Sequence, residues 1–398
     1  MFHYALIILF ALFSLSGNLL GQETYPNGQL KFKGKFKSDS IAVGKHTYWY
    51  EDGQIKSFGP YKNGEKNGKF SEHYSDGKLK FEGSFSGGTA NGIHRHFYES
   101  GEPEKQESLK NNIKQGLCIY WWPNGNKRLE VELLDDTIKN GIYKRWLEDS
   151  IPAEQGTYKK DIKEGQWLTW YENANKKDSY TYKKGKWDGP FTTWWDNGKK
   201  QTEGTYINEI IDGSFYTFYD NGKPENEENY KMGLEHGSWV FHYENGEKRS
   251  SETYADGVRT GAFSSWYDNG QMESKGNLLN GLEEGEWMEW HENGQLKSQG
   301  SNKENMANSL WTEWYENGQK LSEGTYVIDS KKGEWKNWFP NGQLSKKGGY
   351  KDDRKSGEWS SWHENGQLKQ EGLFNNGKKT GTWLWYDKEG NKMKENVF

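Results

Sequence analysis

Apolar and polar positions alternate along this chain in short runs, and the runs stop at Asn-Gly or Asp-Gly pairs. A period of two is the signature of a strand with one buried face. Asn-Gly between two such runs signals a hairpin, because a tight type I′ turn needs positive φ at both central residues. In "WTEWYENGQKLSEGTY", residues 311–326, this predicts a two-residue turn at Asn317-Gly318. It joins a strand near 310–316 to one near 319–326, pairs Glu316 with Gln319 and Tyr315 with Lys320, and sets Trp311 opposite Gly324. One face then gathers Trp311, Tyr315, Gly324 and Tyr326, and the other holds Trp314 among Glu316, Gln319 and Glu323. The expectation is a sheet with one aromatic face and one wet face.

The same phrase returns throughout. Turn glycines stand at 198, 222, 246, 270, 294, 318, 342 and 366, each 24 residues from the last. Upstream the series runs through Gly28, Gly53, Gly77, Gly101 and Gly125, then Ser150 and Ala174, and Gly390 closes it, making sixteen copies. A fixed period of this size defines a repeat architecture. The predicted fold is all-β: an elongated, single-layer antiparallel meander of about sixteen hairpins. At ~4.8 Å per strand it makes a twisted ribbon on the order of 150 Å long. A glycine in mid-strand leaves a hole that an indole across from it can cover. Trp311 over Gly324, Trp335 over Gly348 and Trp359 over Gly372 fit that scheme. Copies that depart from the phrase, at 146–156 and 170–180, mark places where the ribbon is expected to bend or loosen.

Composition sharpens the picture. Only 32% of residues are apolar and 16% of the chain is aromatic, so ring faces must supply what cores of Leu and Val supply elsewhere. Disordered chains lack such aromatics. Net charge is −5, with no long basic run, so neither nucleic acid nor anionic lipid is an expected partner. The N-terminal stretch "ALIILFALFSLSGNLL", residues 5–20, is short for a membrane span and suits a signal-peptide core. The reading is a signal peptide over 1–21, cleaved after Gly21 with Gly17 as the alternative, an exported array over 22–398 with atypical first and last copies, and no membrane span after removal of the leader.

With the Gly-x-Trp-x-x-Trp-Tyr-x-Asn-Gly phrase laid out, the chain resembles the MORN-repeat variant family. "GEWKNWFPNGQL" (333–344) and "GEWSSWHENGQL" (357–368) carry the resemblance, which covers roughly residues 24–398. It implies an elongated hairpin ribbon, a scaffolding or binding role and no catalytic residues. Bacterial relatives are often labelled YwqK-like antitoxins, which implies an immunity-type role as a further alternative.

No constellation for chemistry stands out, and the expectation is a protein that is not an enzyme and holds no metal and no cofactor. His94 and His96 share a strand face but lack a third ligand in register. His291 and His363 replace the usual Tyr of their copies, and Glu244, Glu292, Glu316 and Glu364 are turn residues. The single cysteine, Cys118, takes an aromatic's place and reads as a small buried hydrophobe. The candidate binding surface is the lone Trp of the wet face: Trp170, Trp194, Trp266, Trp290, Trp314, Trp338 and Trp362. The expected function is an exported binding scaffold for a protein partner. The alternative is a cell-envelope polysaccharide-binding protein that uses this Trp row for stacking. A homodimer through the aromatic face is also expected.

Overall fold

The computed structural model describes residues 19–37 and 40–398. Most of the expected signal peptide, residues 1–18, lies outside the described residues. The chain divides into two compact units, Met1–Gly198 and Lys199–Phe398. Among the described residues there are 39 strands and no α-helix, hence no helix long and apolar enough to cross a membrane. Within each unit the strands form one open antiparallel sheet in which each hairpin pairs with the next along the chain. In the first unit the sheet begins with Leu19–Thr24 against Leu30–Lys37.

In the second unit, Ser309–Trp314 pairs with Lys320–Val327, and Trp311 stands opposite Gly324 as the alternation predicts. The turn differs. Gly318 N–H donates to Tyr315 O at 2.9 Å and Tyr315 N–H donates to Gln319 O at 2.9 Å. Gly318 has a φ of 79°, while Asn317 is not in the left-handed region. This is a type I turn closed by a glycine bulge, not the two-residue I′ turn. Trp314 therefore pairs with Lys320, and Tyr315 sits in the turn itself.

The two-residue I′ turns lie at the opposite edge. Ile328 and Asp329, with φ of 51° and 63°, form one between the paired residues Val327 and Ser330. The connection "KDDRKSG" is likewise only a two-residue turn: Lys351 pairs with Arg354, and the strand Arg354–Trp362 continues past a bulge at Gly357, whose φ is 78°. The irregular copies keep the same turns. Ala174 N–H donates to Tyr171 O at 3.0 Å with a φ of 68°, and Ser150 N–H to Leu147 O at 3.1 Å with a φ of 71°.

Gly324, Gly348 and Gly372 each lie between two tryptophans, and the ring that covers each belongs to the following copy. A Cβ on Gly324 would collide with the Trp335 indole, one on Gly348 with Trp359, and one on Gly372 with Trp383. Trp335 and Gly324 are also register partners across the strands that join the two hairpins. The indole is anchored one strand back: Trp335 Nε1–H donates to Thr325 O at 3.3 Å and Trp359 Nε1–H to Gly349 O at 2.9 Å. From Tyr326 the rings continue edge to face through Trp335, Tyr350, Trp359 and Phe374 to Trp383, with centroids 4.9–6.1 Å apart. In the first unit Cys118 takes the tryptophan's place, wholly buried against Val131 and Leu133, and burial pushes its thiol pKa up.

Candidate functional site

The turns at the Asn-Gly edge are fastened copy to copy. Tyr315 Oη–H donates to Trp338 O at 2.9 Å, and Asn317 Nδ2–H donates to Pro340 O at 2.7 Å. Asn317 Oδ1 also accepts the Gln319 N–H at 3.0 Å. The asparagine is thus required for what its amide reaches in the next copy, a role that sequence reasoning assigned to its φ. His291 and His363 take the tyrosine's part. Each Nε2 lies 2.9–3.0 Å from a carbonyl 23 residues ahead, Trp314 O and Tyr386 O, and so must carry the proton there. Glu244, Glu292, Glu316 and Glu364 accept asparagine amides of the preceding copy through their backbone carbonyls, at 2.8–3.0 Å, and their side chains are exposed.

His94 belongs to the interior of the first unit. It is buried at 5% exposure, its Nε2 lies 2.8 Å from Ser84 O, and its ring packs against Phe81 and Phe85. His96 packs on Phe81, and burial lowers its pKa. Both imidazoles are parts of the ring ladder.

The aromatic face is not bare. Lys331 Nζ stands 4.1 Å from the Trp335 ring centroid, Lys355 4.4 Å from Trp359, and Lys379 4.0 Å from Trp383. Lys163 does the same over Trp167 in the first unit, at 4.0 Å. Each lysine lies four residues before its tryptophan, so the strand carries it over the bulge and back above the ring. The spacing is legible in the sequence once the bulge is known. These cations stand over the face on which a homodimer was expected to rest.

The seven tryptophans of the wet face, Trp170, Trp194, Trp266, Trp290, Trp314, Trp338 and Trp362, are all half-buried. Lysine stems account for part of the cover: Lys176 Nζ lies 5.6 Å from the Trp194 ring and Lys320 Nζ 5.6 Å from the Trp338 ring. Trp314 also borders a hollow of about 460 Å³ with Glu286, Gln299, Thr312 and Leu310.

The same face of the second unit carries a second row that sequence reasoning missed. Just past the I′ turns stand Ile210 at 41% exposure, Leu234 at 50%, Val258 at 44% and Leu282 at 39%, one per copy. Ile207 and Leu279, their register partners, add 41% and 54%. The signal was the residue after each turn pair, "NEI", "MGL", "DGV" and "NGL", but the alternation assigned tight turns only to the opposite, Asn-Gly edge. The aliphatic and tryptophan rows lie at opposite ends of the strands, about 20 Å apart at ~3.3 Å per residue.

Comparison with known proteins agrees with the repeat. Ten segments, 42–63, 66–86, 90–111, 187–208, 211–232, 259–280, 283–302, 308–327, 331–352 and 355–376, match the family model described as MORN repeat variant and together make up more than half of the chain. No curated protein matches. Solved structures to which the chain is similar include TcdB2-TccC3-TEV, at 10% identity and a TM-score of 0.19 over 96% of this chain and 23% of that one. TcdB2-TccC3 is another, at 9% identity and a TM-score of 0.15 over 95% and 26%. A mutant Photorhabdus luminescens Tc holotoxin pore follows, at 9% identity and a TM-score of 0.16 over 93% and 22%. The chain spans about a quarter of the length of these structures.

Proposed function

The chain belongs to the family of MORN repeat variants, and we propose that it is an exported, non-enzymatic scaffold that docks an elongated protein partner on the wet face of its second unit. The observation that carries this reading is the aliphatic row. Four successive copies place Ile210, Leu234, Val258 and Leu282 at one exposed corner. Such a row offers a partner apolar anchors about 10 Å apart, two strand spacings per copy. Apolar anchors in a polar surround are what protein interfaces use for affinity. Export rests on the uncharged apolar stretch at residues 5–20.

Site-specific photocrosslinking in the source cells tests it. A crosslinker at position 234 or 258 should capture one protein, and one at Arg354, where the same corner is polar, should not. Capture should vanish when Leu234 and Leu282 are both changed to Lys, and the purified pair should bind in solution. Equal capture at all three positions contradicts the reading.

The half-buried tryptophans sustain a second reading, retention on envelope polysaccharide, because Trp314 borders a hollow with polar groups able to meet sugar hydroxyls. Changing Trp290, Trp314 and Trp338 to Ala should then abolish co-sedimentation with insoluble cell-wall polysaccharide. Unchanged sedimentation contradicts it.

A further inference from the structure

On the aromatic face of the second unit, Ser361 is 8% exposed, and its Oγ has no hydrogen-bond partner. It lines a hollow of about 230 Å³ with Lys346, Lys355, Lys379, Gln370 and the rings of Trp359, Phe374 and Trp383. No Asp or Glu lines it. Burial, then the charges of Lys346 and Lys379, holds the Lys355 ammonium below the usual lysine range. Burial and Lys394 do the same to Lys379. The hollow therefore gathers cations and an unpaired hydroxyl donor.

The repeat shows what is missing. At the position of Ser361 the three copies before it carry Glu289, Glu313 and, immediately before, Asn337. Glu313 accepts the Ser322 hydroxyl at 2.7 Å, and Glu289 meets Lys297 at 3.1 Å. At the position of Lys346 these three copies carry Ser274, Ser298 and Ser322, and at that of Lys355 they carry Glu283, Ala307 and Lys331. Neither copy with a carboxylate there has lysines at the Lys346 and Lys355 positions, although the Glu313 copy keeps Lys331 at the Lys379 position; of these copies only that of Ser361 gathers all three lysines, and there the carboxylate is gone.

We propose that this hollow binds a carboxylate from outside, carried by an acidic sugar of hexuronate size. The carboxylate lies among the three ammoniums and accepts the Ser361 hydroxyl, and charge-assisted bonds of this kind hold it firmly. The volume leaves room for a sugar ring beyond the carboxylate. Gln370 meets its hydroxyls, and the edges of Trp359 and Trp383 meet its apolar face. The site lies on the face opposite the tryptophan and aliphatic rows and does not depend on the docking described above.

Calorimetric titration of the full chain with glucuronate, acetate and glucose at fixed ionic strength tests the proposal. Glucuronate should bind saturably with one site, more tightly than acetate, and glucose should not bind. Lys379→Gln should weaken glucuronate about tenfold, the loss expected of one charged hydrogen bond. Lys331→Gln, the same stacked lysine one copy outside the hollow, should leave it unchanged. Ser361→Glu restores the residue of two earlier copies, so it should fold and abolish binding. No binding of glucuronate, or binding that survives Ser361→Glu, overturns the site. Equal affinity for acetate and glucuronate overturns the sugar assignment.

Discussion

The indole of Trp335 covers Gly324, a residue of the preceding hairpin, and its Nε1–H reaches back to Thr325 O at 3.3 Å. Each hairpin is therefore completed by its successor. Gly324→Ala should destabilise the protein by about 1–3 kcal/mol, the usual cost of overpacking a close ring contact. Denaturant titration of Gly324→Ala beside the wild type checks it. An unshifted midpoint for Gly324→Ala contradicts the packing described.

Where the repeat places a non-glycine residue in the left-handed region, the protein carries strain. Ala174 has a φ of 68° at a position that is glycine in most copies. Left-handed backbone costs an L-residue about 1–2 kcal/mol, part of which the flexibility of an unfolded glycine offsets. Ala174→Gly should raise stability by up to about 1 kcal/mol. Ile328→Asn, at a φ of 51° on a β-branched residue, should act in the same direction. A fall in melting temperature for both would refute the turn assignment.

The staples at the Asn-Gly edge make a separable contribution. Tyr315→Phe removes only the hydroxyl that reaches Trp338 O. It should cost about 0.5–1.5 kcal/mol. Tyr315→His should recover part of this, because His291 and His363 make the same reach. Failure of histidine to outperform phenylalanine would count against the staple.

Much of this fold is legible in the sequence, because period and alternation set strand, register and the pairing of Trp311 with Gly324. The turn type is not, since Asn-Gly suits both a two-residue I′ turn and a glycine-closed type I turn. The second set of turns, at Met232-Gly233 and Asp256-Gly257, has no place in the sequence reading, and with it the aliphatic corner at Leu234 and Val258 stayed hidden. The lean of each indole was hidden too. Register puts Gly324 beside both Trp311 and Trp335, and only the rotamer decides which ring covers it. The tryptophan row was visible because it repeats, whereas the hollow at Ser361 is defined by a departure from the repeat.

Stability should also depend on pH through Glu228, which takes a mid-strand glycine's place at 8% exposure. Burial raises its pKa above the ordinary 4.5, with the Tyr230 hydroxyl bond opposing. The folded protein thus holds this proton to higher pH than the unfolded chain. The associated stability is full below the ordinary glutamate range and is lost as pH rises through the folded value. Glu228→Gln, whose amide oxygen still accepts from Tyr230, should gain on wild type as pH goes from acidic to neutral. A gap between the two denaturation midpoints that stays constant over that range would contradict the assignment.

Hydrogen exchange on Gly324→Ala tests most directly the claim that the copies complete one another. If the ring over Gly324 comes from the following copy, protection should fall in both 309–327 and 330–351 while 213–255 keeps its wild-type rates. Loss of protection confined to 309–327 would mean that each hairpin covers its own glycine, and the account of coupled copies would fail.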